Sequence, residues 1–116
     1  MNGVLSIAVS GLQAQSARLH SSAHNVANLL TDNFIPQRVD LKARPGGGVQ
    51  ARVSSSQQAG PARFDVETGA ALGKYSGTDL AEEALTQISA SRAYEANLAV
   101  LRAEQERTET LLKVLA

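Results

Sequence analysis

Two histidines four residues apart, His20 and His24, are the first residues whose spacing suggests chemistry. On a helix they share a face, and such a pair can hold a metal ion. A third ligand would be needed, yet no Asp or Glu occurs before Asp32. The pair reads as two polar helix residues, and no metal site is assigned. Glu82 and Glu83 are adjacent, so on a helix they point about 100° apart and cannot share a substrate. They suit the first turn of a helix, where acidic side chains favour the macrodipole. Gly46, Gly47 and Gly48 lack the Lys-Ser/Thr and the following helix that a phosphate-binding loop requires, so they read as a turn. The serines sit in no nucleophile-elbow pattern. No catalytic residue, cofactor or small-molecule ligand is expected, and the chain does not read as an enzyme.

Composition narrows the classes further. The 116 residues carry 11 basic and 11 acidic side chains, and a neutral chain is a poor nucleic-acid binder. With no Cys there is neither a disulfide framework nor a thiolate site. Phe34, Phe64, Tyr75 and Tyr94 are the only aromatics, too few to fill an ordinary compact core. No apolar run can span a bilayer, and MNGVLSIAVSGLQAQSARLH lacks the basic start of a secretory signal. The expectation is a cytoplasmic chain, or one exported without a cleaved signal.

The elements that must position any site are two long helices. Thr78 to Ala116 contains no Gly or Pro. It opens with Asp79 as N-cap and Glu82 as reciprocal partner. Leu80, Ala84, Leu85, Ile88, Tyr94, Leu98, Leu101, Leu111, Leu112 and Leu115 follow at helical spacing, along about 50 Å. Arg92 to Glu95, Arg102 to Glu106 and Glu109 to Lys113 are spaced as surface pairs.

The first helix is expected over Asn2 to Leu30. Leu5, Val9, Leu12, Ser16, Leu19, Ala23, Val26 and Leu30 make a heptad seam of the kind that meets a facing helix. Its other side, Ser6, Ser10, Gln13, Gln15, Ser21, Ser22 and Asn25, is almost uncharged. That composition fits either a helix of ordinary polarity or, the favoured reading, one packed on several sides in an assembly.

Between the helices, Asn33 suits the left-handed residue that closes a helix. Phe34 to Lys42 and Val49 to Val53 alternate as strands around the Pro45–Gly48 turn, a β-hairpin. SSSQQAG, residues 54–60, has the composition of a flexible linker. Residues 61–77 read as loop with a short strand at Arg63–Val66. The chain divides into an N-terminal helix (1–32), a hairpin and linker (33–77) and a C-terminal helix (78–116). The fold class is mainly α, with the terminal helices pairing as an antiparallel coiled coil. Two such helices bury too little for a stable monomer, so ordering is expected to come with association.

HNVANLLTDNF, residues 24–34, resembles the N-terminal signature of the bacterial flagellar rod and hook family, through Asn25, Ala27-Asn28, Thr31 and Phe34. TDLAEEALTQISASRAYEANLAVL, residues 78–101, resembles its C-terminal signature, through Asp79-Leu80, Glu83, Arg92, Tyr94 and Asn97. The chain departs from the pattern at His24, at Asp32-Asn33 and in KYSGT before Asp79. The resemblance implies an axial subunit of the basal-body rod whose terminal helices pack around a central export channel. It implies partners among other rod proteins and copies of itself, passage through the type III export apparatus, and a periplasm-spanning location. The short middle segment points to a proximal rod subunit. On this reading the assembly residues are Leu5, Val9, Leu12, Leu19, Asn25, Val26, Asn28, Thr31, Phe34, Asp79, Leu80, Glu83, Ile88, Arg92, Tyr94, Asn97, Leu98 and Leu101. The alternative is a coiled-coil interaction module, such as a secretion chaperone or needle-type subunit.

Overall fold

The computed structural model describes residues 2–56 and 58–116. Helix α1 spans Asn2–Ala27. It stops short of Leu30 as the backbone tightens into turns, Leu29 N–H donating to the Val26 carbonyl and Thr31 N–H to that of Asn28. Asn33 then takes the left-handed conformation, φ 60°. Helix α2 spans Leu80–Leu115 and begins on Asp79. The Asp79 carboxylate accepts the backbone N–H groups of Ala81 at 2.9 Å and Glu82 at 3.3 Å. Of the three spaced pairs along α2, Lys113 and Glu109 meet, at 2.8 Å.

Strands β1 (Gln37–Ala43) and β2 (Val49–Ser55) form the expected antiparallel hairpin, with Gln37 opposite Ser55 and Ala43 opposite Val49. The hairpin lies along α1. At its tip Gly46, Gly47 and Gly48 all have positive φ, which costs glycine little. A Cβ on Gly48 would stand 2.6 Å from Ser10 Oγ, so a side chain there would push the tip off the helix. Ser10 Oγ donates to the Ile7 carbonyl and accepts the Val49 N–H at 3.0 Å.

The strand content exceeds the mainly α expectation. A second antiparallel pair, β3 (Ala62–Phe64) with β4 (Ala71–Lys74), occupies residues 61–77: β3 overlaps the short strand expected at Arg63–Val66, and β4 lies where loop was expected. Neither strand shows a period of its own. Their pairing depends on the turn between them, where Asp65 accepts the N–H groups of Glu67 and Thr68. The Asn33 carboxamide oxygen accepts the Lys74 N–H at 2.9 Å and so ties β4 to the loop that follows α1. The segment read as a flexible linker is largely committed. Ser54 and Ser55 complete β2, Ser56 donates to the Pro36 carbonyl, and Gly60 donates to the Tyr75 carbonyl. Gln57 lies outside the described residues.

The molecule is elongated, 81 × 24 × 15 Å. Its helices run antiparallel: Asn25 meets Glu83 and Gly11 meets Asn97. They close through small and polar groups. The buried residues of α1 are Ala8, Ser10, Gly11, Ala14, Gln15, Ser21, Ser22 and Asn25, and those of α2 are Ala90 and Glu104. The leucine seam of α1, expected to meet the facing helix, instead flanks the contact: Leu5, Leu12, Leu19 and Val26 are half-buried and Val9 is exposed. Ala8, Ala14 and Ala90 are the buried apolar side chains among the described residues. A buried leucine contributes about 1.5–3 kcal/mol, and this fold leaves most of that unrealised within one chain.

Candidate assembly interface

The two signature segments meet at Asn25. It is 1% exposed and joins three elements. Its Nδ2 donates to the Gln37 carbonyl at 2.8 Å and to Glu83 Oε1 at 2.7 Å, while its Oδ1 accepts the Gln37 N–H at 2.7 Å. One carboxamide thus presents donor and acceptor to the peptide groups of a single strand residue, as a neighbouring strand would. Its spare N–H binds a carboxylate on the other helix, a bond strengthened by charge. Thr78 Oγ1 donates to the Asn25 carbonyl at 3.2 Å, fastening the residue just before the α2 cap. Ser22, 1% exposed, adds a second crosslink. It donates to the Glu83 carbonyl and accepts from Gln87 Nε2. The sequence reading placed Ser22 on the uncharged side of α1 but not among the site residues; three-residue spacing to Asn25 is the signal that links them.

The remaining residues of the N-terminal signature act locally. Asn28 Nδ2 donates to the His24 carbonyl, and Thr31 Oγ1 donates to Asn28 Oδ1 at 3.0 Å. Phe34 packs edge-on to His24, ring centroids 5.5 Å apart. On α2, Asn97 is half-buried, its Nδ2 bonded to the Ala93 carbonyl at 2.8 Å. Leu98 and Leu101 are half-buried; Leu80, Ile88, Arg92 and Tyr94 are exposed.

These apolar residues share one side of the helix pair. At about 100° per residue, Leu5, Leu12, Leu19 and Val26 lie beside the α2-facing stripe of α1, away from the hairpin. Leu80, Tyr94 and Leu98 lie on the matching side of α2. Leu12, Gln13, Ser16 and Tyr94 line a shallow groove of about 320 Å³ there. Leu111, Leu112, Val114 and Leu115 add further exposed apolar surface at the end of α2. On the opposite side, Arg18, Arg38, Asp79, Glu82 and Glu83 border a polar cleft of about 400 Å³ beside the Asn25 junction.

Residues 72–114, from within β4 to the last turn of α2, match the family model described as flagellar basal body rod FlgEFG protein C-terminal. The match supports reading the C-terminal part of this chain as that of a flagellar rod-family protein. The matched stretch holds every α2 residue assigned to assembly, from Asp79 to Leu101, whereas Asn25 and the rest of α1 lie outside it. No curated protein matches the chain. That family is a structural one of the flagellar basal body.

Proposed function

We propose that this rod-family protein is a building block of the basal-body rod, joined to its neighbours through the apolar sides of α1 and α2. The observation that carries this reading is the inversion of the helix pair. Small polar residues close it within the chain, while the seam leucines are only half-buried and Leu80, Ile88 and Tyr94 stay exposed. A helix pair meant to be self-sufficient would bury its leucines against each other. Here association supplies the missing apolar burial, so the helices reach full order as subunits stack, as a coiled-coil wall around the export channel. The assembly residues are those of the two seams together with Asn25, Asn28, Thr31, Phe34, Asp79, Glu83, Arg92 and Asn97. The partners are copies of the same chain and other rod subunits. Delivery runs through the type III export apparatus without a cleaved signal, and the short β segment between the helices suits a proximal position.

The test is co-purification of the native protein with detergent-extracted basal bodies. Several copies per particle are expected. Intact basal bodies lacking the protein would overturn the reading in favour of a free-standing coiled-coil module. Such a module would form a folded dimer in solution.

A further inference from the structure

We propose that Gly11 and Asn97 form the key that sets the stagger of α1 against α2. A helix contact made of Ala, Ser and Gln offers no large knobs, so many staggers fit it almost equally well. Something else must choose one. In coiled coils a single polar residue at a core position often does this. The facing residues here fall seven apart on both helices: Val4, Gly11, Arg18 and Asn25 on α1; Glu83, Ala90, Asn97 and Glu104 on α2. Asn25 meets Glu83, and equal steps along the antiparallel pair set Arg18 opposite Ala90, Gly11 opposite Asn97 and Val4 opposite Glu104.

The sizes are complementary. Ala90 is fully buried, and by the same stepping it falls opposite Arg18. Gly11, with no side chain, faces the Asn97 carboxamide. A Cβ on Gly11 would stand 2.4 Å from Asn97 Oδ1, 2.6 Å from Cγ and 2.8 Å from Nδ2, so the whole amide fills the space that a side chain would need. The amide is pinned by its bond to the Ala93 carbonyl and cannot simply swing aside. A slip of one heptad, about 10 Å along the axis, would set Asn97 against Val4 or Arg18. Gly11 would then face Ala90 or Glu104, and Asn25 would lose Glu83. Only the observed stagger keeps both the Asn25–Glu83 bond and the fit of the Asn97 amide over Gly11. Asn25 and Glu83 fasten it at one end; Gly11 and Asn97 select it in the middle. The stagger is a property of the single chain and does not depend on the rod assignment. In a rod it would decide which apolar residues of the two helices stand side by side on the open surface.

The test is a double-mutant cycle with a distance readout, on the full chain. Gly11→Ala is expected to lower the thermal midpoint by roughly 5 °C or more. Asn97→Ala should cost less, and the double variant should recover to the level of Asn97→Ala alone. Nitroxide labels at Ser16→Cys and Arg92→Cys are specific because the chain has no Cys. They should report one interhelix distance in the parent, a longer or broadened one in Gly11→Ala, and the parental one in the double variant. Additive destabilisation would overturn the contact. Rescue of the midpoint with an unchanged label distance in Gly11→Ala would show a tight contact that does not set the stagger, and would overturn the proposal equally.

Discussion

Replacing Asn25 by Ala removes three side-chain hydrogen bonds at once. It leaves the Gln37 N–H and carbonyl without their partner and deprives Glu83 Oε1 of a donor. A neutral hydrogen bond contributes about 0.5–1.5 kcal/mol net, and one to a charged group about 1.5–3 kcal/mol. The simple sum runs to about 6 kcal/mol. Gln37 and Glu83 are only half-buried, so water can reach them once the carboxamide is gone. About 3 kcal/mol is the reasoned loss, which for a chain of this size lowers the thermal midpoint by about 10–15 °C. Asn25→Asp should be worse at neutral pH. It keeps the acceptor for the Gln37 N–H but sets a carboxylate against the Gln37 carbonyl and the Glu83 carboxylate. The sign of its pH dependence follows. The introduced carboxyl would have a folded pKa above its unfolded value near 3.9, so its protonated form is the one the fold favours. The deficit should shrink as pH falls through that raised pKa and grow as pH rises. The assay is thermal unfolding by far-UV circular dichroism at fixed protein concentration, with amide exchange at Gln37 as the local probe. A loss below 1 kcal/mol in Asn25→Ala, or Asn25→Asp as stable as the parent at pH 7, would refute the junction.

Other outcomes follow from the same contacts. Leu98→Asp should leave the helix signal of the isolated chain largely intact, since Leu98 is only half-buried, yet abolish incorporation into basal bodies and motility; normal motility would count against the open apolar side as the interface. Asp79→Ala should cost about 1 kcal/mol by uncapping α2, read as a lower unfolding midpoint and faster exchange at Ala81 and Glu82. Backbone N–H groups of Thr68 and Glu67 hold the Asp65 carboxyl below its ordinary pKa, so its contribution is present at neutral pH and lost as pH falls through the depressed value. The β3–β4 turn should fray below the ordinary aspartate range, seen in pH-dependent shifts at residues 65–69. Arg63→Ala should loosen β3–β4 from the loop that follows α1, because Arg63 pairs with Asp32 and lies over the Tyr75 ring. Faster amide exchange at Lys74 with α2 unchanged is the expected signature.

The weak interior of the helix pair has a consequence for how the protein moves between states. A core of three alanines gives the monomer little reason to stay closed. The specific bonds at Asn25, Ser22 and Glu83 choose the closed arrangement without making it rigid along its whole length. A chain built this way can be opened at low cost.

Much of the fold is legible in the residues alone. The absence of Gly and Pro from Asp79 to Ala116, the Asp79 cap and the apolar spacing define α2; alternation around a Gly-rich turn defines β1 and β2; Asn33 marks the left-handed stop. These are local signals, written in propensity and period. Two other features are not local. Strand β4 exists because Asn33 and β3 present partners to it, and its own four residues, ALGK, carry no period. The inversion of the helix pair is also hidden. Heptad spacing says that a face will meet a helix, and polarity suggests the leucine face, but which face meets which helix depends on what else must fit. Here the hairpin claims one side of α1, and Ser22, Asn25 and Gly11 offer bonds and clearance to α2 that leucines would deny. Only the tertiary structure weighs those demands together. It sets the small polar face of α1 against α2 and leaves the leucines at the flank of the contact.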